Sequence, residues 1–371
     1  MQMMDNFYLW TCGDFSAWQL DGVCIDASGQ LRLDLEQAHV GRDPLQSGEY
    51  AGGNNSHDGS YWRGAALGPV IETQLPFERI NPSWNAVVPS ETWLEMQVRA
   101  CLDERWTKWY SLGVWTAANQ GDLSRHSISG QADEDGDMQV DTLQLRRSAR
   151  VFQLKVNLFS GAAGQAPAVR QAAMALSPGE TRRLAGDPAL WGRELAVAPC
   201  SQMVYRDGGE VWCSPTSLAM VLGYWSGQSR PCEDLVRAAV AGVYDWQYRG
   251  HGNWPFNVAY AATQGLDGSV ICLAGLWQVE RLVAAGIPVI VSFAWQDGEL
   301  PNAPIGHSRG HLAVVIGFDA QGDPIVNDPA AASDALVRRT YPRAAFESVW
   351  MASGGVAYLL APPGFAIPDL S

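Results

Sequence analysis

The chain has 371 residues, of which 47% are hydrophobic and 17% are charged, and its formal net charge is −14. This length accommodates two domains, and the composition is that of a globular protein rather than a disordered one. The acidic balance argues against a nucleic-acid-binding surface, and no apolar run approaches the length of a membrane span. The N-terminal residues lack a basic segment followed by a long apolar one, so we predict no signal peptide and expect a cytoplasmic location.

The first half, residues 1–160, is predicted to be an all-β sandwich domain. Short apolar or alternating segments recur between turn residues over 30–35, 92–101, 109–115, 140–145 and 152–159. Several short strands at such spacing are typical of an antiparallel sandwich. Within WLEMQVR, the side chains of Leu94, Met96 and Val98 fall on one face, as in a half-buried strand. The segment from Ser83 to Trp115 resembles the jelly-roll or lectin-like sandwiches attached to bacterial hydrolases.

Two groups of side chains in this half invite a ligand-binding interpretation. Exposed tryptophans would stack on sugars, and the candidates are Trp84, Trp93, Trp106, Trp109 and Trp115. We favour packing in the core, where large aromatic side chains dominate, so a carbohydrate or protein ligand of this domain stays open. The run DEDGD supplies Asp133, Asp135 and Asp137 as possible calcium ligands, but its glycine is misplaced for an EF-hand loop.

Residues 161–194 are predicted to be a linker. The segment is rich in Ala, Gly and Pro, and it shows no sustained strand pattern. The second domain is therefore expected to span residues 195–371, with a short strand or arm over 194–197 at its beginning.

A cysteine stands at the start of a predicted amphipathic helix. Ser214 and Pro215 follow Cys213 and suit a first helical turn, and apolar residues then recur at helical spacing. Free N–H groups and the positive end of the helix dipole beside the sulfur favour the nucleophilic thiolate. Eleven residues upstream, Gln202 carries a side-chain amide that would donate to an oxyanion. The intervening glycines, Gly208 and Gly209, allow the chain to fold back toward the cysteine.

A base and an orienting group follow in the chain. His311 is predicted to begin an apolar strand and Asp328 to end the next, with a turn at 320–322 between them. Such a hairpin brings the two ends together, so the carboxylate orients the imidazole. Asn327 is an alternative orienting residue, because only one of two neighbours in a strand faces the ring. His307 is the strongest rival base; the other histidines, His251, His126, His57 and His39, are weaker candidates.

These pieces resemble cysteine peptidase family 39, which includes the bacteriocin leader-processing peptidases. The matching stretches are Ser201-Gln202, CSPTS with its helix, Gly310-His311-Leu312, and VNDP ending in Pro329. The resemblance covers roughly residues 195 to 361 and implies a papain-like α+β fold. It assigns the nucleophile to Cys213, the base to His311, the acid to Asp328 and the oxyanion donor to Gln202. Leader peptidases usually carry glycine after the cysteine and a closer glutamine, so their double-glycine specificity is not assumed.

The remaining pattern fits that fold. Helices are predicted over 233–243, 255–264 and 276–285, and an apolar strand over 287–293. Seven cysteines show no metal-ligand spacing, and we favour buried thiols for all but Cys213, with a disulfide between two others left open.

We therefore predict a cysteine peptidase acting on a peptide or protein substrate, with no metal or organic cofactor. The alternatives are a thiol acyltransferase of transglutaminase type, or a non-catalytic binding protein on a peptidase-like scaffold.

Overall fold

The computed structural model describes residues 4–42, 60–116, 124–177, 184–227 and 230–371. Over these ranges the chain forms a twelve-stranded sheet from its first half and a seven-stranded sheet from its second, and the strand pairs are antiparallel. His57 lies outside the described residues. In the same ranges, no helix is long and apolar enough to cross a membrane.

The first half consists almost entirely of strands. They are β1 (Phe7–Thr11), β2 (Gln19–Asp21), β3 (Val23–Ile25), β4 (Leu31–Leu33), β5 (His39–Arg42), β6 (Ser60–Val87), β7 (Thr92–Leu102), β8 (Arg105–Trp106), β9 (Tyr110–Trp115), β10 (Gly136–Gln139), β11 (Thr142–Ser160) and β12 (Ala168–Leu176). Each predicted strand segment falls within or overlaps one of these, and the two segments over 140–145 and 152–159 belong to the single long strand β11. The sandwich arrangement of this sheet stays a prediction.

Three of the five candidate sugar-binding tryptophans are packed in the protein interior. Trp84, Trp93 and Trp115 are buried, as the prediction of core packing required. Trp106 and Trp109 are half-buried, and the guanidinium of Arg99 stacks over both rings, at 4.3 and 4.6 Å from their centroids. Both half-buried rings therefore contact a cation within the protein, and a carbohydrate ligand of this domain stays a prediction.

The acidic run is engaged in internal ion pairs rather than clustered for a metal. Asp135 forms a bidentate pair with Arg105, and Asp133 pairs with Lys108 at 3.0 Å. Among the described residues, no group of three or more His, Cys, Asp or Glu side chains is arranged to hold a metal ion.

The prediction that residues 161–194 form a linker is partly wrong. Ala168–Leu176 is the strand β12, which pairs with β1 on one side and β6 on the other. Its small side chains, including Ala172, Ala173 and Ala175, are fully buried. Alanine has low strand propensity, so the pattern was missed, yet its small size suits a strand that is closely packed.

The second half contains the helices and the seven-stranded sheet. The helices are α1 (Cys213–Ser226), α2 (Cys232–Val243), α3 (Trp254–Thr263), α4 (Leu276–Ala284), α5 (Asp334–Val337) and α6 (Arg343–Ala352). The strands are β13 (Arg193–Glu194), β14 (Asp267–Cys272), β15 (Val289–Trp295), β16 (Ser308–Phe318), β17 (Pro324–Asn327), β18 (Arg338–Thr340) and β19 (Val356–Ala361). The helices α1 to α4 and the strand β15 lie within one or two residues of their predicted positions, and the β16–β17 hairpin turns where its sequence indicated.

The two halves are joined by shared packing and hydrogen bonds. Phe256 of α3 is fully buried in the core of the first half, 6.2 Å from the ring of Trp84. The side chain of Asn85 bonds both the N–H and the carbonyl of Gly268, and Gln171 donates to the same carbonyl. Side chains of the first half thus bond the backbone of β14 in the second half.

A disulfide joins Cys200 to Cys232 and ties the segment before α1 to the start of α2. The expectation of unpaired, buried cysteines is therefore wrong for this pair, and Cys12 is free but exposed. Disulfides persist mainly in oxidising compartments, so this bond does not favour the cytoplasmic location, which stays a prediction.

Candidate active site

Cys213 is the first residue of α1, which the surrounding core holds in place. Leu218 and Val221 of this helix are fully buried, and the hydroxyl of Ser217 donates to the carbonyl of Leu312 on β16 at 3.0 Å. Cys213 itself stays partly exposed. The backbone N–H groups of Ser214 and Leu312 both point at its sulfur, so the helix start faces the strand that carries His311.

His311 lies on β16 and connects the cysteine to an acid. Its Nε2 bonds Oδ1 of Asp328 at 2.8 Å, and its ring also bonds the Cys213 side chain. A carboxylate only accepts hydrogen bonds, so Nε2 carries a proton and Nδ1 is the nitrogen left for the sulfur. The rings of Phe293 and Trp295 pack edge-on against the imidazole at 5.4 and 5.5 Å and restrict its orientation.

Asp328 is fully buried just beyond β17 and has three donors. Besides His311, the hydroxyl of Tyr341 donates to Oδ2 at 2.7 Å and the N–H of Ala330 donates to Oδ1 at 3.0 Å. Asn327 faces away, and its side chain donates to the carbonyl of Val197. Between the two neighbours that the sequence left open, the geometry therefore places Asp328 against the imidazole.

Burial and charge together set the ionisation of this group. Burial alone raises the pKa of Cys213, but the hydrogen bond and positive charge of His311 lower it below the usual thiol range. Burial alone lowers the pKa of His311, but the charge and hydrogen bond of Asp328 raise it to about 10. Burial also works against ionised Asp328, while His311 and Tyr341 hold its pKa below normal. The three side chains therefore favour a thiolate, an imidazolium and a carboxylate at neutral pH.

Gln202 lies in the wall of the cavity that contains Cys213 and His311. It is buried, and its Nε2 donates to the carbonyl of Gly209 at 2.7 Å, which leaves one N–H on the same nitrogen. A Cβ on Gly209 would come within 2.0 Å of the Gln202 carbonyl oxygen, so the glycine permits this fold-back. The backbone N–H of Gln202 donates to the carbonyl of Pro329, directly beyond Asp328.

The other candidate histidines are placed less suitably. His307 is 67% exposed and contacts the surface carboxylate of Asp297. His39 pairs with Asp21 at the surface, and His126 is buried in the first half. His251 does line the cavity, but burial lowers its pKa to about 4, so it stays neutral.

Two residues near the candidate site, Tyr341 and Asp141, were not identified from the sequence. Tyr341 completes the contacts of Asp328 from a position after β18, thirteen residues further along the chain. Asp141 lies in the first half, at the turn between β10 and β11, yet it lines the same cavity as Cys213. A folded sheet brings both to the site, so neither spacing nor periodicity indicates them.

Comparison with known proteins divides the chain in the same way. Residues 194–358 match the Peptidase_C39 like family, and residues 6–177 match the peptidase C39 N-terminal domain. The second half therefore carries a C39-like peptidase domain. The search of curated proteins returns no match.

Two solved structures are each similar to a little under half of this chain. A protein designated a C39-like peptidase from Bacillus anthracis is 21% identical, with 45% of this chain and 96% of that chain covered and a TM-score of 0.33. A double glycine motif protease from an AMS/PCAT transporter, in complex with the leader peptide, is 20% identical, with 46% and 96% covered and a TM-score of 0.30.

Proposed function

We propose that this protein is a papain-like cysteine peptidase that hydrolyses peptide bonds with Cys213 as nucleophile and His311 as base and acid. The observation that carries the proposal is the continuous hydrogen-bonded series from Cys213 through His311 to buried Asp328. A surface thiol, or a cysteine buried only for packing, has no need of such a series. The β-sandwich first half is proposed to be part of the same enzyme.

The reaction begins from the thiolate–imidazolium pair. The sulfur attacks the carbonyl carbon of the scissile amide, and the carbonyl oxygen takes up negative charge. The free N–H of Gln202 Nε2 and the backbone N–H of Cys213 donate to that oxyanion, which is the charge that develops only in the transition state. His311 then gives its Nδ1 proton to the leaving amine, and a thioester remains on Cys213.

Deacylation reverses the role of the histidine. Neutral His311 takes a proton from water, and the resulting hydroxide attacks the thioester carbonyl and releases the acid product and the thiolate. Throughout both steps Asp328 accepts from Nε2 and stabilises the imidazolium that forms. Tyr341 donates to Oδ2 and Ala330 to Oδ1, and these two bonds hold the carboxylate against the ring.

The test combines thiol labelling with peptide cleavage. Wild-type protein is treated with iodoacetamide across pH, and peptide mapping locates the label; a complex peptide mixture is then searched for cleavage products by mass spectrometry. We expect Cys213 to be labelled with an apparent pKa well below the ordinary ~8.5, and Cys213→Ala to abolish cleavage. Gln202→Ala is expected to lower kcat/KM by roughly 10²–10³ with little change in labelling, because it removes an oxyanion donor and not the nucleophile.

Cys12→Ser is the matched control. Cys12 is a free cysteine on the surface of the first half, and partial desolvation of its thiol together with nearby acids holds its pKa above normal. This variant should retain both cleavage and rapid labelling of Cys213. Cleavage by Cys213→Ala at the wild-type rate would refute the assignment, and formation of amide products when a primary amine is added would redirect it to acyl transfer.

A further inference from the structure

The first half of the chain forms one wall of the cleft in front of the nucleophile. The cavity has a volume of about 780 Å³, and its lining includes Cys213 and His311 as well as Gln139, Val140 and Asp141 of the first half. These three residues form the turn that joins β10 to β11. An independent accessory module would leave the cleft to the catalytic half alone, so the turn is a candidate for substrate recognition.

The turn has a strained backbone. Val140 has a φ of 62°, a left-handed conformation that is unfavourable for a β-branched side chain. The N–H of Asp141 donates to the carbonyl of Gln139 at 2.7 Å, two residues back, which closes a tight γ-turn. Strain of this kind persists where the surrounding structure enforces it, and it clusters at ligand-contacting sites. Here the tight turn fixes the position of the Asp141 side chain.

The carboxylate of Asp141 is buried without a cation. The residue is 6% exposed, and its Oδ2 accepts from the backbone N–H of Trp254 at 2.6 Å. In the part of the chain that the structure describes, it forms no ion pair. Burial, with a smaller effect of Asp245, raises its pKa to about 7. A buried acid that lacks a positive partner is costly, and a cationic ligand would remove that cost.

The surroundings of Asp141 supply further acceptors and little competing charge. Gln202 Oε1 and His251 Nδ1 are buried in the same cavity wall, and neither has a hydrogen-bond partner in the described protein. Two arginines, Arg79 and Arg249, stand at the cavity but are exposed, and Arg79 donates to Gln144. Asp141 and Cys213 line the same cavity, and both act electrostatically on the buried phenol of Tyr358.

We propose that Asp141 forms a substrate subsite that binds a positively charged group, an ammonium or a guanidinium, next to the scissile bond. This inference rests on the proposed function in assuming that the bound group belongs to a substrate attacked by Cys213. The cation is either a lysine or arginine side chain or a free N-terminal ammonium, since both offer the same chemistry. The family resemblance did not indicate the subsite, because its carboxylate comes from the first half.

The first experiment needs no substrate. Three methanethiosulfonate reagents, bearing trimethylammonioethyl, sulfonatoethyl or methyl groups, each form a mixed disulfide with Cys213 and release methanesulfinate. Their rates at Cys213 are measured at pH 8.5 by peptide mapping in wild type, Asp141→Asn and Glu210→Gln. We expect Asp141→Asn to lower the ratio of cationic to anionic rates at least about tenfold, as removal of one nearby charge predicts.

Two comparisons keep this experiment decisive. Glu210 lines the same cavity but is exposed and hence screened, so Glu210→Gln should change the ratio less than about threefold. The neutral methyl reagent should react equally with all three proteins, because asparagine preserves the acceptor for Trp254. Asp141→Glu, which restores the charge, should recover part of the selectivity. An unchanged ratio in Asp141→Asn would overturn the proposal.

The second experiment identifies the source of the cation. Peptides that the wild type cleaves are resynthesised with norleucine in place of lysine, or with an acetylated N-terminus. Whichever change lowers wild-type kcat/KM about tenfold or more should have little effect in Asp141→Asn. If wild type cleaves no peptide while the reagents still show charge selectivity, the proposed function fails and the cation site stands. If cleavage occurs with no preference for charge, the subsite fails and the peptidase stands.

Discussion

We predict that Tyr341→Phe lowers the free energy of unfolding, because it removes the hydrogen bond from Tyr341 to Asp328. Both side chains are fully buried, the contact is 2.7 Å, and the acceptor is a carboxylate. A hydrogen bond to a charged group contributes roughly 1.5–3 kcal/mol, so the free energy of unfolding should fall by about that amount near neutral pH. Asp328 keeps its bonds from His311 and Ala330, so the fold should persist.

The pH dependence of this loss follows from the two pKa shifts. Asp328 has a folded-state pKa below its unfolded value, so its stabilisation is complete above pH ~4 and is lost as the pH falls through the folded pKa. Burial and the charge of Asp328 raise the pKa of Tyr341, so its contribution is complete below pH ~10 and declines above that value. The difference between wild type and Tyr341→Phe should therefore be largest between about pH 4 and pH 10 and should shrink outside that range.

Urea unfolding followed by tryptophan fluorescence at several pH values measures this difference. Tyr358→Phe is the matched control, because within the described ranges the buried Tyr358 hydroxyl bonds the neutral hydroxyl of Ser214, at 3.1 Å, and no charged group. It should lose about 0.5–1.5 kcal/mol, with no decline of the effect below pH 4. If Tyr341→Phe costs no more than the control, or if its cost is the same at pH 3 and pH 7, the reasoning about a charged acceptor is wrong.

Two further predictions concern the nucleophile and the disulfide. His311→Gln removes the imidazolium and leaves burial opposed by the N–H groups of Leu312 and Ser214, so the pKa of Cys213 should rise. Iodoacetamide labelling at pH 7 should then slow about tenfold for each unit of the rise, and a labelling profile identical to that of wild type would contradict the ion pair. The bond between Cys200 and Cys232 closes a loop with a sequence separation of 32, so its reduction should lower the free energy of unfolding by about 3–4 kcal/mol. Urea unfolding with and without reductant measures this loss. Equal stability in both conditions would show that the disulfide is not formed in solution.

The placement of the nucleophile and the acid could be predicted because Cys213 begins a helix and Asp328 directly follows a strand. The prediction that His311 begins its strand is wrong, because β16 starts three residues earlier, at Ser308. Apolar residues at helical spacing fix the start of α1, and a hairpin with its turn residues fixes the relation of His311 to Asp328. The identity of the orienting residue could not be predicted, because adjacent positions at a strand end differ only in the direction that they face. The structure places Asp328 toward the ring and Asn327 toward Val197.

The contributions of distant segments could not be predicted in the same way. The sequence does not mark the turn that carries Asp141, and the position of this residue in the cavity lining depends on how the two sheets pack, which local patterns do not describe. The strand β12 was missed because its alanines carry no strand pattern, although burial between β1 and β6 explains them. The pairing of Cys200 with Cys232 likewise depends on where α2 packs rather than on spacing alone.

The insertion of Phe256 into the first-half core has a consequence for how such a protein can be engineered or recombined. A ring from the second half completes the interior of the first half, and Asn85 of the first half bonds the backbone of Gly268 in return. Exchanging the first half for an unrelated one would leave an apolar ring in water and backbone groups without partners. The two halves are therefore expected to be transferable only as a pair, and a chimera would need to carry Asn85 and Phe256 together.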